Sequence, residues 1–344
     1  MSILVTGGAG YIGSHMVHAL IDKGESVVVV DDLSTGYRWS VPREAEFFLC
    51  DIGDIASISR IFRTYDIEAI IHFAGSIVVD ESVSQPTYYY HNNTSNTRNL
   101  AECAIRFGIN KFIFSSTAAV YGECQNTLID ELSLTNPISP YGRSKLMSEW
   151  ILSDISKAHE FATVILRYFN VAGADPYGRS GQSNPASTHL IKAAVQASLG
   201  IREALNVYGN DYPTKDGTCI RDYIQVTDLI DAHINALDYL REGGDNLVCN
   251  VGYQCGYSVY EVINTVKDIS GIDFEVKSCP RRNGDAPSII ASNALIMNEL
   301  GWSPKYNNLN EIVKQAYAWE KKLNQIPNQE SINTMNAFSS TTSS

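Results

Sequence analysis

The sequence predicts an α/β protein: a doubly wound parallel sheet with a smaller α/β part after it. Short apolar runs at residues 3–6, 26–30, 46–49, 69–73 and 111–115 read as buried strands, being too short for helices. Helical patterns at residues 11–23, 54–65 and 90–107 alternate with them. Such βα alternation covers both faces of a parallel sheet with helices and leaves ligands at the carboxyl ends of the strands.

A chain of 344 residues has room for one large domain or two smaller ones. We expect residues 1–170 to build the sheet domain, with some later segments returning to it, and 171–324 to build the smaller one. Prolines 176, 185 and 213 and many glycines mark long loops in that second part, interrupted by a helix over 188–199. A further helix is expected over 309–323. Residues 325–344 are polar and without periodicity, the signature of a disordered tail. A net charge of −12 argues against a nucleic-acid or acidic-membrane partner, since both need a basic surface. Seven scattered cysteines without a C-x-x-C pair read as reduced thiols, with no disulfide framework and no metal site. No leader or 18-residue apolar span is visible, so the expected compartment is the cytoplasm.

The first strand, Ile3-Leu4-Val5-Thr6, runs into Gly7-Gly8-Ala9-Gly10-Tyr11-Ile12-Gly13 and then into a helix ended by Gly24. The second strand ends at Asp31-Asp32. Strand, glycine loop, helix, strand and acid follow one another as in a Rossmann dinucleotide fold. Glycines there let the backbone approach a pyrophosphate at the helix N-terminus. A glycine-rich turn alone would be weak, but the surrounding order supplies the required context. Asp31 stands where a carboxylate accepts from ribose hydroxyls and repels a 2′-phosphate, which favours NAD over NADP. The next strands end at Cys50-Asp51 and at Phe73-Ala74-Gly75. His72, inside an apolar strand, reads as a packed core histidine.

Phe114-Ser115-Ser116-Thr117 ends another strand, which puts the Thr117 hydroxyl at the ligand edge. In isolation that threonine would read as a helix cap. Ser139-Pro140 then opens a helix containing Tyr141 and Lys145, four residues and one turn apart. A phenol titrates near pH 10, and an ammonium beside it favours the phenolate that a proton-abstracting tyrosine needs. The spacing alone proves little, because Tyr317 and Lys321 repeat it with no strand end or hydroxyl partner nearby.

These residues, with Arg167-Tyr168-Phe169-Asn170, resemble an extended short-chain dehydrogenase/reductase and, within that group, the UDP-glucose 4-epimerase family. The stretches GGAGYIGSH, DDLSTG, HFAG with ESVSQP, HNNTSNT, FSSTAAVYG, SPYGRSKLMSE, LRYFNVAGADP, YPTKDGTCIRDYIQVTDL and RRNGDAP carry the likeness over residues 3–305. It implies a Rossmann domain that keeps NAD bound on Gly7, Gly10, Tyr11, Ile12 and Gly13. Asp31, Asp32, Leu33, Ser34, Thr35 and Gly36 serve its adenosine end. Asp51, Ile52, Phe73, Ala74, Gly75, Asn92, Ser115, Tyr168, Tyr141 and Lys145 complete the cofactor set. Tyr141, tuned by Lys145 and bridged by Thr117, takes the proton from the sugar 4-hydroxyl while hydride leaves C4. The keto sugar swings and is reduced on its other face, so UDP must be gripped tightly and the hexose loosely. By the same resemblance Arg221 and Arg282 hold the pyrophosphate, Asp285 the uridine ribose, and Tyr208 lies against uracil. Asn170, Asn206, Tyr223 and the backbone at His189-Leu190 join them. A homodimer follows too, built by helices near 90–107 and 141–158, and the resemblance implies further helices over 226–241 and 259–270.

The chain departs from the family at two places. Many relatives carry a Lys near the nicotinamide where Ile77 stands, and some carry a pocket-narrowing Tyr where Ile289 stands. The shorter Ile289 is expected to admit an N-acetyl group. UDP-N-acetylglucosamine and UDP-xylose epimerases therefore stay open as alternatives. A nucleotide-sugar dehydratase would need Asp-Glu after Thr117, where Ala118-Ala119 stand. A catalytically silent NAD-sensing protein is opposed by the intact Thr117, Tyr141 and Lys145.

Overall fold

Strand β1 (Ser2–Thr6) is buried along its whole length and has parallel neighbours on both sides. A computed structural model describes residues 1–123, 128–185, 187–282 and 285–325. The tail expected from residue 325 therefore lies, from 326 on, outside the described residues. From β1 the chain runs through α1 (Tyr11–Asp22), β2 (Val27–Asp31), β3 (Glu46–Leu49), α2 (Ile55–Thr64) and β4 (Ile67–His72). Short helices α3 (Val79–Ser84) and α4 (Pro86–Tyr89) precede α5 (Asn96–Arg106), β5 (Lys111–Thr117), β6 (Leu128–Ile129), α6 (Pro140–Ala158), β7 (Ala162–Tyr168) and β8 (Asn170–Ala172). The remainder is α7 (Leu190–Ser198), β9 (Leu205–Tyr208), β10 (Ile220–Gln225), α8 (Val226–Arg241), β11 (Leu247–Val251), β12 (Gly256–Ser258), α9 (Val259–Ser270), β13 (Val276–Cys279), β14 (Ser288–Ala291), α10 (Ala294–Leu300) and α11 (Leu309–Gln325).

The main sheet has seven parallel strands in the order β11-β7-β5-β4-β1-β2-β3. Alternation along each strand divides its side chains between two cores. Ile3 and Val5 join Met16, Leu229 and Leu237 under α1 and α8, whereas Leu4 joins Ile58, Ile70 and Leu100 under α2 and α5. Each fully buried side chain of this kind contributes ~1.5–3 kcal/mol. His72 is such a core residue: it sits between the Thr6 and Thr97 hydroxyls at 2.6 and 2.8 Å, and burial lowers its pKa to about 3.

The boundary near residue 170 is crossed in both directions. Strand β11 and helix α8 return to the main sheet, while β6, from the first half, joins the small sheet β12-β10-β14-β6 with β8 on β10. Strands β9 and β13 form a separate parallel pair.

One element differs from expectation. Residues 90–107 are not a single α-helix, because Tyr90–Ser95 is a π-helical turn that widens the helix before α5 begins. The extra residue per turn turns Asn93 inward, where its amide donates to the Ser76 carbonyl at 2.9 Å and to the Ser144 hydroxyl at 3.0 Å. A π-turn of this kind commonly marks a functional site.

Candidate functional site

Helix α1 begins at Gly10 without any capping side chain, so its first amides, at Tyr11 and Ile12, are free to meet an anion. A Cβ on Gly10 would meet only the Gly7 carbonyl, at 3.3 Å, so the helix mouth is open there. Gly7 (φ 69°) and Gly13 serve differently. A Cβ on Gly13 would lie 2.1 Å from the Gly7 oxygen, and one on Gly7 2.6 Å from the Ala74 nitrogen. Only glycine lets strand, loop and helix approach this closely.

At the end of β2, Asp31 accepts from the Ala9 amide at 2.9 Å and the Leu33 amide at 2.8 Å. Burial pushes its pKa up and those amides oppose the push. Each carboxylate oxygen keeps a lone pair for a ribose hydroxyl. Leu33 holds a left-handed backbone (φ 59°), unusual outside glycine and suited to a functional turn. Asp32, Ser34 and Thr35 are exposed on the same loop, and Gly36 is buried against Ala9. Asp51 is exposed at the end of β3 beside buried Ile52, and the Gly53 amide donates to its carboxylate at 2.7 Å. The open helix mouth, the glycine contacts and the acceptor carboxylate fit a dinucleotide.

A narrow cleft opens beside this loop, with Gly10, Tyr11, Thr35 and Tyr37 on one wall and Gln182 and Ser183 on the other. The second wall was not legible in the sequence, because nothing there ties residues 173–184 to α1. Side chains tie it: the Tyr11 hydroxyl donates to the Gly173 carbonyl at 2.8 Å, and Ser14 and Ser180 share a 2.6 Å hydrogen bond.

The reactive centre lies where β5 meets α6. Ser139 caps α6, its hydroxyl accepting from the Gly142 amide at 3.1 Å, and Pro140 follows at the first position. Gly142 lets this turn press onto the chain after Thr117, since a Cβ there would lie 2.5 Å from the Ala119 oxygen. Thr117 takes the cap role, accepting from the Ala119 amide at 3.1 Å, and its hydroxyl acts on the Tyr141 phenol to favour the ionised form. Tyr141, Lys145 and Thr117 are all buried. Burial pushes the Tyr141 phenol up, and the Thr117 hydroxyl opposes the push. Burial lowers Lys145 to about 8, with Glu149 acting against it. The Lys145 ammonium donates to the Ser115 carbonyl at 2.8 Å and lies 4.7 Å from the centre of the Phe114 ring.

A Cβ on Gly75 would lie 3.7 Å from the Lys145 nitrogen, which brings the loop after β4 to the same place. Asn92 and Asn93 hold that loop: Asn92 donates to the Ser76 hydroxyl at 2.8 Å, and the Ser76 amide donates to the Asn93 carbonyl oxygen at 2.7 Å. Phe73 and Tyr168 flank His233, whose ring reaches the Ser115 hydroxyl at 2.9 Å. Ile77 is exposed on this loop and brings no charge to it.

The substrate-side residues fall on the small sheets. Asn170 on β8 pairs with Tyr223 on β10, two residues beyond Tyr168 at the end of β7. Arg221, on the same β10, donates to the Ala286 carbonyl at 2.8 Å and meets the Asp285 carboxylate at 3.3 Å. The Arg282 guanidinium lies 3.9 Å above the Tyr208 ring. Asn206 is exposed on β9, His189 is the N-cap of α7, and Leu190 is its first residue. Ile289 is the parallel neighbour of Arg221 and packs on a cluster of Val120, Tyr121, Leu146 and Phe169. That cluster joins the reactive centre to the arginine side. Glu149, Arg167 and Asn93 escaped the sequence reading as site residues; burial of a polar group is their only mark, and it is invisible before folding.

Comparison with known proteins gives concordant results. The family model described as "NAD dependent epimerase/dehydratase family" matches residues 3–252. A curated UDP-glucose 4-epimerase from Azospirillum brasilense is 52% identical over 323 residues, 94% of this chain and 93% of that one. A UDP-glucose 4-epimerase from Brucella ovis, solved in complex with NAD, superposes with a TM-score of 0.90 at 42% identity, covering 92% of this chain and 97% of that chain. The UDP-Glc/GlcNAc 4-epimerase of Campylobacter jejuni has a TM-score of 0.83 at 48% identity, covering 93% and 99%. Sequence match, fold and site geometry converge, and the chain belongs to the NAD dependent epimerase/dehydratase family.

Proposed function

We propose that this protein inverts C4 of a UDP-hexose, interconverting UDP-glucose and UDP-galactose through a transient 4-keto sugar. The observation that carries the reading is the burial of Thr117, Tyr141 and Lys145 together where β5 meets α6, with Lys145 one turn beyond Tyr141. NAD, when bound, supplies the acceptor and donor of hydride at sugar C4. The Tyr141 Oη takes the 4-hydroxyl proton and later returns it, and Thr117 orients that hydroxyl. Lys145 supports the phenolate with its charge. Arg221 and Arg282 pair with the pyrophosphate of UDP, a geometry that guanidinium groups suit. Asp285 then turns from Arg221 to the uridine ribose, and Tyr208 offers its face to uracil once Arg282 moves off it.

Incubating the purified protein separately with UDP-glucose, UDP-N-acetylglucosamine and UDP-xylose, and identifying the products, tests the reading. UDP-galactose is expected from the first; its absence in protein that carries NAD overturns the assignment. Denaturing the protein should also release NAD into the supernatant. A second reading rests on Ile289, half-buried beside Arg221 where a Tyr would narrow the hexose pocket. UDP-N-acetylglucosamine should turn over as well, and Ile289→Tyr should suppress that activity while sparing UDP-glucose. No turnover of it by wild type, with UDP-glucose active, rules this reading out.

The partner in this reading is a second copy of the chain, paired through α5 and α6. Among the described residues no helix is long and apolar enough to cross a membrane. The compartment we assign is the cytoplasm, where thiols such as Cys103, Cys219 and Cys249 stay reduced.

A further inference from the structure

Helix α6 carries a third inward-facing group at the same spacing. Tyr141, Lys145 and Glu149 follow one another at four-residue intervals, and all three are buried. Glu149 is held by two strands at once. The Ser116 hydroxyl of β5 donates to one carboxylate oxygen, and Arg167 of β7 grips both, with Nε at 3.1 and 3.2 Å and Nη2 at 2.6 Å. The Arg167 Nη1 donates to the Tyr121 hydroxyl at 3.0 Å, and that hydroxyl donates to Asn250 on β11 at 2.7 Å. Lys145 is fixed one residue away, on the Ser115 carbonyl. Consecutive residues of β5 thus anchor a buried cation and a buried anion of α6.

A buried ion pair with well-packed apolar alternatives seldom adds stability, so its presence here calls for a role. We propose that Glu149, braced by Arg167, is a positioning residue that keeps the Lys145 ammonium charged and seated on Ser115, and so sets the pH range over which Tyr141 works. Other ionisable groups near this assembly do not substitute for it. His72 on β4 is neutral through burial; Tyr168 on β7 and Tyr121 after β5 are buried phenols pushed up by desolvation. Tyr89 on α4 touches the Tyr141 ring and is committed to Glu81 of α3 at 2.7 Å. Glu131 faces Arg167 and accepts from the Asn250 amide at 2.7 Å. Glu149 is the anion whose charge bears on Lys145.

The inference rests on the proposed Tyr141 chemistry, and its test includes a readout independent of any substrate. In protein labelled at the lysine ε-carbon, the Lys145 resonance is assigned by its loss in Lys145→Met, and its titration is followed by NMR. Glu149→Gln should move the Lys145 midpoint, and with it the alkaline limb of kcat, to lower pH by about one unit. KM for the sugar nucleotide and NAD content should stay near wild type. Glu149→Asp, which keeps the charge, should restore most of the shift. If Glu149→Gln does not fold because Arg167 is stranded, the Glu149→Gln/Arg167→Met double variant removes both charges and should show the same direction. An unmoved Lys145 midpoint in the folded variant overturns the inference, whereas failure to epimerise any UDP-sugar overturns only the function proposed above.

Discussion

Tyr141 is worth most as a proton carrier and least as a packing residue. Phe in its place keeps the ring and its edge contact with Tyr89, 6.5 Å between centroids, but loses the Oη atom. Tyr141→Phe should therefore lower turnover by roughly 10²–10⁴-fold, the usual worth of a placed acid–base group, with KM and the far-ultraviolet spectrum little changed. Steady-state rates with UDP-glucose measure this, and undiminished turnover removes Tyr141 from the mechanism. Lys145 sets the pH dependence in the wild-type protein. Its ammonium is held at about 8, so the charge is present below that pH and lost as pH rises through it. The phenolate then loses its support, and kcat should fall on the alkaline side. A kcat flat across that range would show that Lys145 does not serve Tyr141.

Helices differ in how plainly their residues announce them. Residues 226–241 and 259–270 form helices with the bounds that the family resemblance implies; in the second, Ser258 and Glu261 form a reciprocal capping box and Gly271 stops the helix in a left-handed turn. The glycine loop and Asp31 stand out in the local order of strand, turn, helix and acid, whereas Thr117, Tyr141 and Lys145 stand out only through the family resemblance, because Tyr317 and Lys321 repeat the same spacing. The π-turn at Tyr90–Ser95 was not legible, since an i→i+5 pattern has no composition of its own and depends on Asn93 reaching Ser76 and Ser144. Nor was the pairing of Leu128 with Ile290, or the docking of α11, because both depend on partners far along the chain. That docking centres on Lys192 of α7 and Glu320 of α11, both buried, 2.7 Å apart, with Gln196 donating to the other Glu320 oxygen at 2.8 Å. Glu320→Ala strands the Lys192 ammonium and should cost about 3–5 kcal/mol of stability. Lys192→Met/Glu320→Leu removes both charges and should recover most of that loss or exceed wild type. Urea unfolding of the variants measures this; equal midpoints for wild type and Glu320→Ala would show that the pair does not hold α11.

Helix α6 serves two surfaces, and this division decides how copies of the chain should assemble. Its inner stripe buries Tyr141, Lys145 and Glu149, which fixes the opposite stripe, Arg143, Met147, Trp150 and Asp154, as the outward one. That stripe is not polar in composition: Trp150 is 58% and Met147 39% exposed, and the neighbouring α3 and α4 add Val83 at 66% and Tyr88 at 46%. Large apolar side chains exposed on helices packed side by side are what an interaction site presents. The occupant we propose is a second copy, because a two-fold interface is self-complementary and uses the same face of both chains. Burying an exposed tryptophan at such an interface supplies the kind of anchor that dominates binding. A charge there would be desolvated without a partner, so Trp150→Glu should turn a dimer into a monomer. The inner stripe does not contact Trp150, so NAD content should be retained. Sedimentation equilibrium over a range of protein concentrations reads the outcome. A wild-type mass equal to one chain, or a dimer unaffected by Trp150→Glu, would remove this face of α6 as the site of assembly.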